Sequence, residues 1–160
     1  MSGLAYLYWH GEVDSPDKKA AEQWYRRAAD SGELDAQFRL SEFLHYTAPE
    51  SNEYLPWLLK AVQGNHLMAL NTYAWELATS MDATKRDGAR AVLFANRLVR
   101  KRRNSETLAT LSAAYAELGQ FRKAITLQEQ AIAEVVAEED SNSEWQERLS
   151  EYRSGNAWRE

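Results

Sequence analysis

The sequence predicts an all-α fold: an α-solenoid of helix–turn–helix repeats, about four helix pairs, closed by a C-terminal capping helix. Three observations carry that prediction. One stretch matches another without a gap 33 residues further on. A slot for a small residue recurs along the chain. The turns between apolar stripes hold Gly or Asn, which tolerate left-handed backbone better than other residues do.

The ungapped match sets residues 24–40 on residues 57–73. Trp24 falls on Trp57, Arg27 on Lys60, Ala28 on Ala61, Leu34 on Leu67 and Ala36 on Ala69. The small-residue slot reads Leu4-Ala5…Tyr8, Leu40-Ser41…Leu44, Tyr73-Ala74…Leu77 and Leu111-Ser112…Tyr115, at intervals of 36, 33 and 38 residues. Units of this size cannot bury their own apolar faces, so neighbours must stack. Ala5, Ser41, Ala74 and Ser112 let paired helices approach closely. The units run over about 1–32, 33–65, 66–103 and 104–140 and form a single domain over 1–160.

In chain order, helices are expected over 2–10, 17–31, 34–46, 52–64, 66–79, 85–102, 105–118, 121–137 and 143–154. The first carries the Leu4–Tyr8 slot. "DSPD" then supplies turn chemistry, and Asp14 and Asp17 flank a proline at a helix start, where capping is their expected use. Gly32 ends the second helix, and Asn65 ends its counterpart one repeat later. "TAPESN" separates the third and fourth helices. Leu108, Leu111, Ala114, Tyr115 and Leu118 form one helical stripe, and Phe121, Ala124, Ile125, Leu127, Ala131 and Ile132 the next, with Gly119 between them. "EEDSNS" is the last loop. The final helix, with Trp145, Leu149, Tyr152 and Trp158 beyond it, covers the exposed end of the stack.

Composition narrows the function classes. The chain is 44% hydrophobic and 11% aromatic, with seven Gly and three Pro, which suits long helices around a real core. A formal charge of −5 argues against broad affinity for nucleic acid or for an acidic membrane surface. The absence of Cys removes disulfides, thiolate nucleophiles and zinc ribbons together. No apolar run approaches the roughly 18 residues of a membrane span. "MSGLAYLYWHG" lacks the basic start and long apolar middle of a signal peptide. The compartment stays open between cytoplasm and periplasm, since an export signal trimmed from the chain fits equally well.

"LAYLYWHGEVDSPDKKAAEQWYRRAADSGELDAQ" closely resembles a Sel-one-like repeat, with Leu4, Tyr8, Gly11, Val13, Asp17, Ala21, Trp24, Tyr25, Ala28, Ala29 and Gly32 at the family's marked places. Ala5 stands where the family has its first Gly, and the second Gly of its loop is missing. "ETLATLSAAYAELGQFRKAITLQEQAI" resembles a tetratricopeptide repeat through Leu108, Leu111, Tyr115, Gly119, Phe121, Ala124 and Ala131, without the Pro that usually closes that unit. "WELATSMDATKRDGARAV" resembles a segment found ahead of such repeats in bacterial proteins. The two resemblances imply a right-handed α-solenoid, and repeats of both kinds mostly scaffold other proteins. Relatives that clamp a chaperone's C-terminal carboxylate use Lys and Asn on inner helices. Here the matching places hold Phe38, Glu42, Asn71 and Trp75, which speaks against that role.

Few constellations point to chemistry. Glu42 and His45 stand three apart on one helical face, the spacing of dinuclear metal bundles, yet no second Glu-x-x-His accompanies them. No metal, cofactor or catalytic residue is expected, because a phosphate loop and a nucleophile elbow are both missing. "RLVRKRRN", residues 97–104, is the one dense basic run. It contacts phosphates on one reading. On the favoured one it ends a helix, where cations complement the dipole, and compensates the acidic "EVVAEED" ending the equivalent helix one repeat later.

The stronger functional signal is the inner face of the first helix in each unit. By spacing it includes Tyr6, Trp9, His10, Phe38, Arg39, Glu42, His45, Tyr46, Asn71 and Trp75, then Ala109, Ala113 and Glu117. Rings beside an Arg and a few polar groups are the composition of protein-binding hot spots. The expected function is a non-catalytic interaction scaffold that takes a protein or peptide partner in a concave groove. The alternative is a structural module of a larger repeat protein, or one that self-associates as a homo-oligomer through the stack ends.

Overall fold

Apolar stripes separated by left-handed turn residues become, in the computed structural model, eight α-helices over the described residues, 18–135 and 142–160. They are α1 Lys18–Asp30, α2 Leu34–Thr47, α3 Tyr54–Gln63, α4 Leu67–Thr79, α5 Gly88–Lys101, α6 Ser105–Glu117, α7 Phe121–Glu134 and α8 Asn142–Arg153. No strand occurs among the described residues. The helix expected over 2–10, with Tyr6, Trp9 and His10, lies outside them, as does most of the acidic run.

Two helix starts differ from expectation for local reasons. Pro49–Ser51 forms a 3-10 turn with Pro49 opening it, and Asn52 follows at φ 54°, so α3 begins only at Tyr54. Asp82 accepts from the Thr84 amide and holds a second 3-10 turn at Ala83–Lys85. Asp87 then accepts from the Arg90 amide at 2.9 Å and starts α5 at Gly88. Each carboxylate satisfies amides that a helix start leaves without partners.

The helix ends repeat one device. Gly32, Asn65, Gly119 and Gly155 all have positive φ, at 88°, 63°, 70° and 80°. At each, the following amide reaches back to the carbonyl five residues before it: Glu33 to Ala28, His66 to Ala61, Gln120 to Tyr115 and Asn156 to Glu151, at 2.9–3.4 Å. The left-handed residue itself donates to Ala29, Val62, Ala116 or Tyr152, which completes a Schellman motif each time. The 33-residue sequence match therefore reproduces a hydrogen-bond pattern.

The chain divides into two compact units, residues 1–69 and 70–160. In the first, α1 packs on α2 and α2 on α3. Its core holds Ala21, Tyr25, Ala28, Phe43, Leu44, Leu58, Ala61 and Val62. The Tyr25 and Phe43 rings stand 6.2 Å apart across the α1–α2 contact. Ser41 fills its small-residue slot buried, with its hydroxyl donating to the Phe38 carbonyl at 2.6 Å. The aligned pairs behave alike: Arg27 lies over the Trp24 ring at 5.3 Å, and Lys60 over Trp57 at 3.8 Å.

In the second unit α5 packs on α6, α6 on α7 and α7 on α8. Within each unit this is the packing order of an α-solenoid. Ala74 and Ser112 occupy their slots with no exposed surface. The Ser112 hydroxyl donates to Gln128 at 2.7 Å, and the Gln128 amide donates to the Trp145 carbonyl at 3.1 Å. This buried polar chain ties three helices together at a cost only complete hydrogen bonding offsets. Capping by α8 holds: Leu149 and Tyr152 are buried, Trp145 packs on Leu108, Ala109 and Ala131, and Trp158 packs on Ala116, Ala124 and Tyr152. Arg103, ending the basic run, pairs with Glu134 and donates to Gln130 at 3.2 Å. One cation thus meets the acidic helix end as expected.

Candidate functional site

Helix α2 presents a polar stripe at helical spacing, Asp35, Arg39, Glu42 and Tyr46. Arg39 donates to Glu42 at 2.9 Å and stands 3.9 Å from Asp35, so one guanidinium is held between two carboxylates, one about a turn to either side of it. Tyr46, at the end of the stripe, is 70% exposed. His45 meets the Tyr54 ring edge-on, with centroids 4.5 Å apart. Glu42 is thus engaged by an arginine and His45 by an aromatic edge. Among the described residues, no group of three or more His, Asp or Glu is placed to hold a metal ion.

Phe38, expected on this face, instead lies in the core at 1% exposure. Half of α2 is buried, from Ala36 to Leu44, and Phe38 falls inside that arc. Its ring lies 5.0 Å from that of His66. His66 was not singled out by spacing, yet it organises this corner. Its Nδ1 accepts from the Ala69 amide at 3.3 Å, at the start of α4, and its Nε2 stands 3.6 Å from Asp35. Burial pushes its pKa below the usual histidine value, against the opposing pull of Asp35.

That arrangement carries a pH prediction. The unfolded chain binds a proton near pH 6.5, whereas folded His66 takes one only at lower pH, so stability falls as pH drops through the window just below about 6.5. Protonation also removes the acceptor that the Ala69 amide uses. Thermal melts at pH 7.5 and pH 5 should show a destabilisation at the lower pH that His66→Gln reduces. An unchanged slope would contradict this role.

In the second unit the expected residues are already engaged. Asn71 accepts from the Thr110 hydroxyl at 2.6 Å and links α4 to α6. Trp75 is partly exposed, its indole N–H donates to Glu160 at 2.7 Å, and Arg148 lies over its ring at 4.6 Å. Ala109 and Ala113, also expected on the inner face, are buried. Glu117 is held by Arg86 at 3.2 Å and Arg159 at 2.7 Å. No helix among the described residues is long and apolar enough to cross a membrane.

A Sel1 repeat protein of Oxalobacter formigenes has a similar solved structure. It is 20% identical, with a TM-score of 0.47, over 94% of this chain and 86% of that one. No family model matches the chain, and no curated protein does. The features that sequence spacing missed are those made by distant residues, above all Glu160 on Trp75, 85 positions apart. A Trp and two acidic or basic residues close together near one end, "WRE", were the only available signal.

Proposed function

We propose that this is a non-catalytic protein-interaction module and that the stripe on α2 takes part in binding a protein segment. The observation that supports this reading is Tyr46, a large amphipathic ring that is 70% exposed in the last turn of α2, two turns beyond an Arg39 already oriented by Glu42. A ring of this kind offers contact area while its hydroxyl keeps the free surface hydrated. A preoriented guanidinium loses little entropy on binding a carboxylate or carbonyl. His45, beside it, adds a polar edge.

The test places a photo-crosslinking amino acid at position 46 and, as a control, at exposed Gln63 on α3. Adducts formed in cell extract are identified by mass spectrometry, with sedimentation of the purified chain run alongside. A distinct partner at position 46 and none at position 63 is the expected result. The same adducts at both positions, or only adducts of the chain with itself, would overturn it, the latter in favour of self-association.

A further inference from the structure

Helix α8 ends at the left-handed cap of Gly155, and the residues after it leave the helix and reach the C-terminal turn of α4. There they make the contacts that a bound peptide makes. The Glu160 amide donates to the Thr79 carbonyl at 2.9 Å, and Arg159 donates to the Ala78 carbonyl at 3.3 Å. Both acceptors belong to the last turn of α4, where helix carbonyls lack intrahelical partners and the dipole favours a cation. The Glu160 carboxylate bridges two indoles, accepting from Trp75 at 2.7 Å and from Trp158 at 3.0 Å. Arg148, itself nearly buried, lies against both rings, 4.6 Å from Trp75 and 5.7 Å from Trp158. Arg159 also pairs with Glu117 at 2.7 Å.

These groups read three features in succession: an aromatic ring, a cation and a carboxylate. The ring packs on Ala116, Ala124 and Tyr152 with Arg148 5.7 Å from its centre, the cation is shared by Glu117 and the helix end, and the carboxylate takes the Trp75 N–H. We propose that the surface formed by Trp75, Glu117, Arg148 and the last turn of α4 is a recognition site for a short aromatic–basic–acidic peptide segment. Residues 158–160 are its intramolecular occupant, which a partner's segment of the same chemistry displaces. This rests on the protein-interaction reading and adds to it the kind of segment bound and the device that restrains binding. A tethered occupant competes at an effective concentration on the order of millimolar, so a free segment binds the intact chain weakly.

The probe is a fluorescently labelled synthetic peptide, Gly-Asn-Ala-Trp-Arg-Glu, copying residues 155–160. Its anisotropy is followed on the full chain, on Trp158→Ala/Glu160→Ala, and on that variant carrying Trp75→Ala. The tail-weakened chain should bind about tenfold tighter than the parent or better, and Trp75→Ala should erase the gain. Glu160→Ala alone, a change at an exposed residue that leaves Trp158 packed, should give a smaller gain in the same direction. Equal binding by parent and tail-weakened chains that both melt cooperatively would overturn the site, as would a gain that survives Trp75→Ala. Crosslinking at position 46 reads a different helix, α2, so failure here is distinguishable from failure of the interaction reading itself.

Discussion

Tyr25→Ala is expected to lower the unfolding free energy by about 3–5 kcal/mol, the cost of emptying a large aromatic site in a core. Tyr25 has no exposed surface and faces Phe43 across the contact of α1 with α2. Removing the ring leaves a void in the core of the first unit, where Ala21, Ala28 and Ser41 are also buried. The check is a denaturant titration in which the midpoint falls while the slope stays constant. Tyr25→Phe keeps the ring and should lose far less. A loss under about 1 kcal/mol for the alanine variant would mean that the α1–α2 contact does not depend on this side chain.

Tyr152→Ala should cost a similar amount, about 3–5 kcal/mol, and should release α8 from α7. Tyr152 is 1% exposed and packs on Ala116 and Ala124. Burial also raises its pKa to about 12. The sign follows from that shift. Below about pH 10 the phenol is neutral in both states, and its contribution is fully present. Between about pH 10 and pH 12 the unfolded chain loses the proton while the folded chain keeps it, so stability declines across this window. Tyr152→Phe, measured by thermal melting over the same range, should decline less steeply than the parent. Identical slopes would remove Tyr152 as the titrating group.

The repeat architecture was legible because it rests on local rules. Helix periodicity and left-handed caps depend on residues within a turn or two, so Gly32, Asn65 and Gly119 announced helix ends that the structure reproduces. The small slots at Ser41, Ala74 and Ser112 were legible for the same reason. The candidate site was less so. Spacing alone could not separate core from open face on α2, because half of that helix is buried and Phe38 and Arg39 are adjacent in sequence. Arg39, Glu42, His45 and Tyr46 stand on the exposed or half-exposed side, and Phe38 does not. At Trp75 the sequence announced an amphipathic ring and nothing of its occupant, since Arg148 and Glu160 reach it only through the fold. The polar chain from Ser112 through Gln128 to Trp145 was hidden likewise, because a glutamine on an amphipathic helix reads as solvent-facing.

The interaction reading stands or falls on affinity at the α2 stripe. A synthetic copy of the partner segment crosslinked at position 46 can be titrated calorimetrically into the parent chain, Tyr46→Ala, Arg39→Ala and Gln63→Ala. All four should melt alike, since Tyr46, Arg39 and Gln63 lie outside the buried core. Tyr46→Ala should weaken binding by about 2 kcal/mol or more, roughly thirtyfold, with Arg39→Ala also weakened and Gln63→Ala unchanged. Equal affinity for the parent, Tyr46→Ala and Arg39→Ala chains would contradict the account and move the binding surface off this helix.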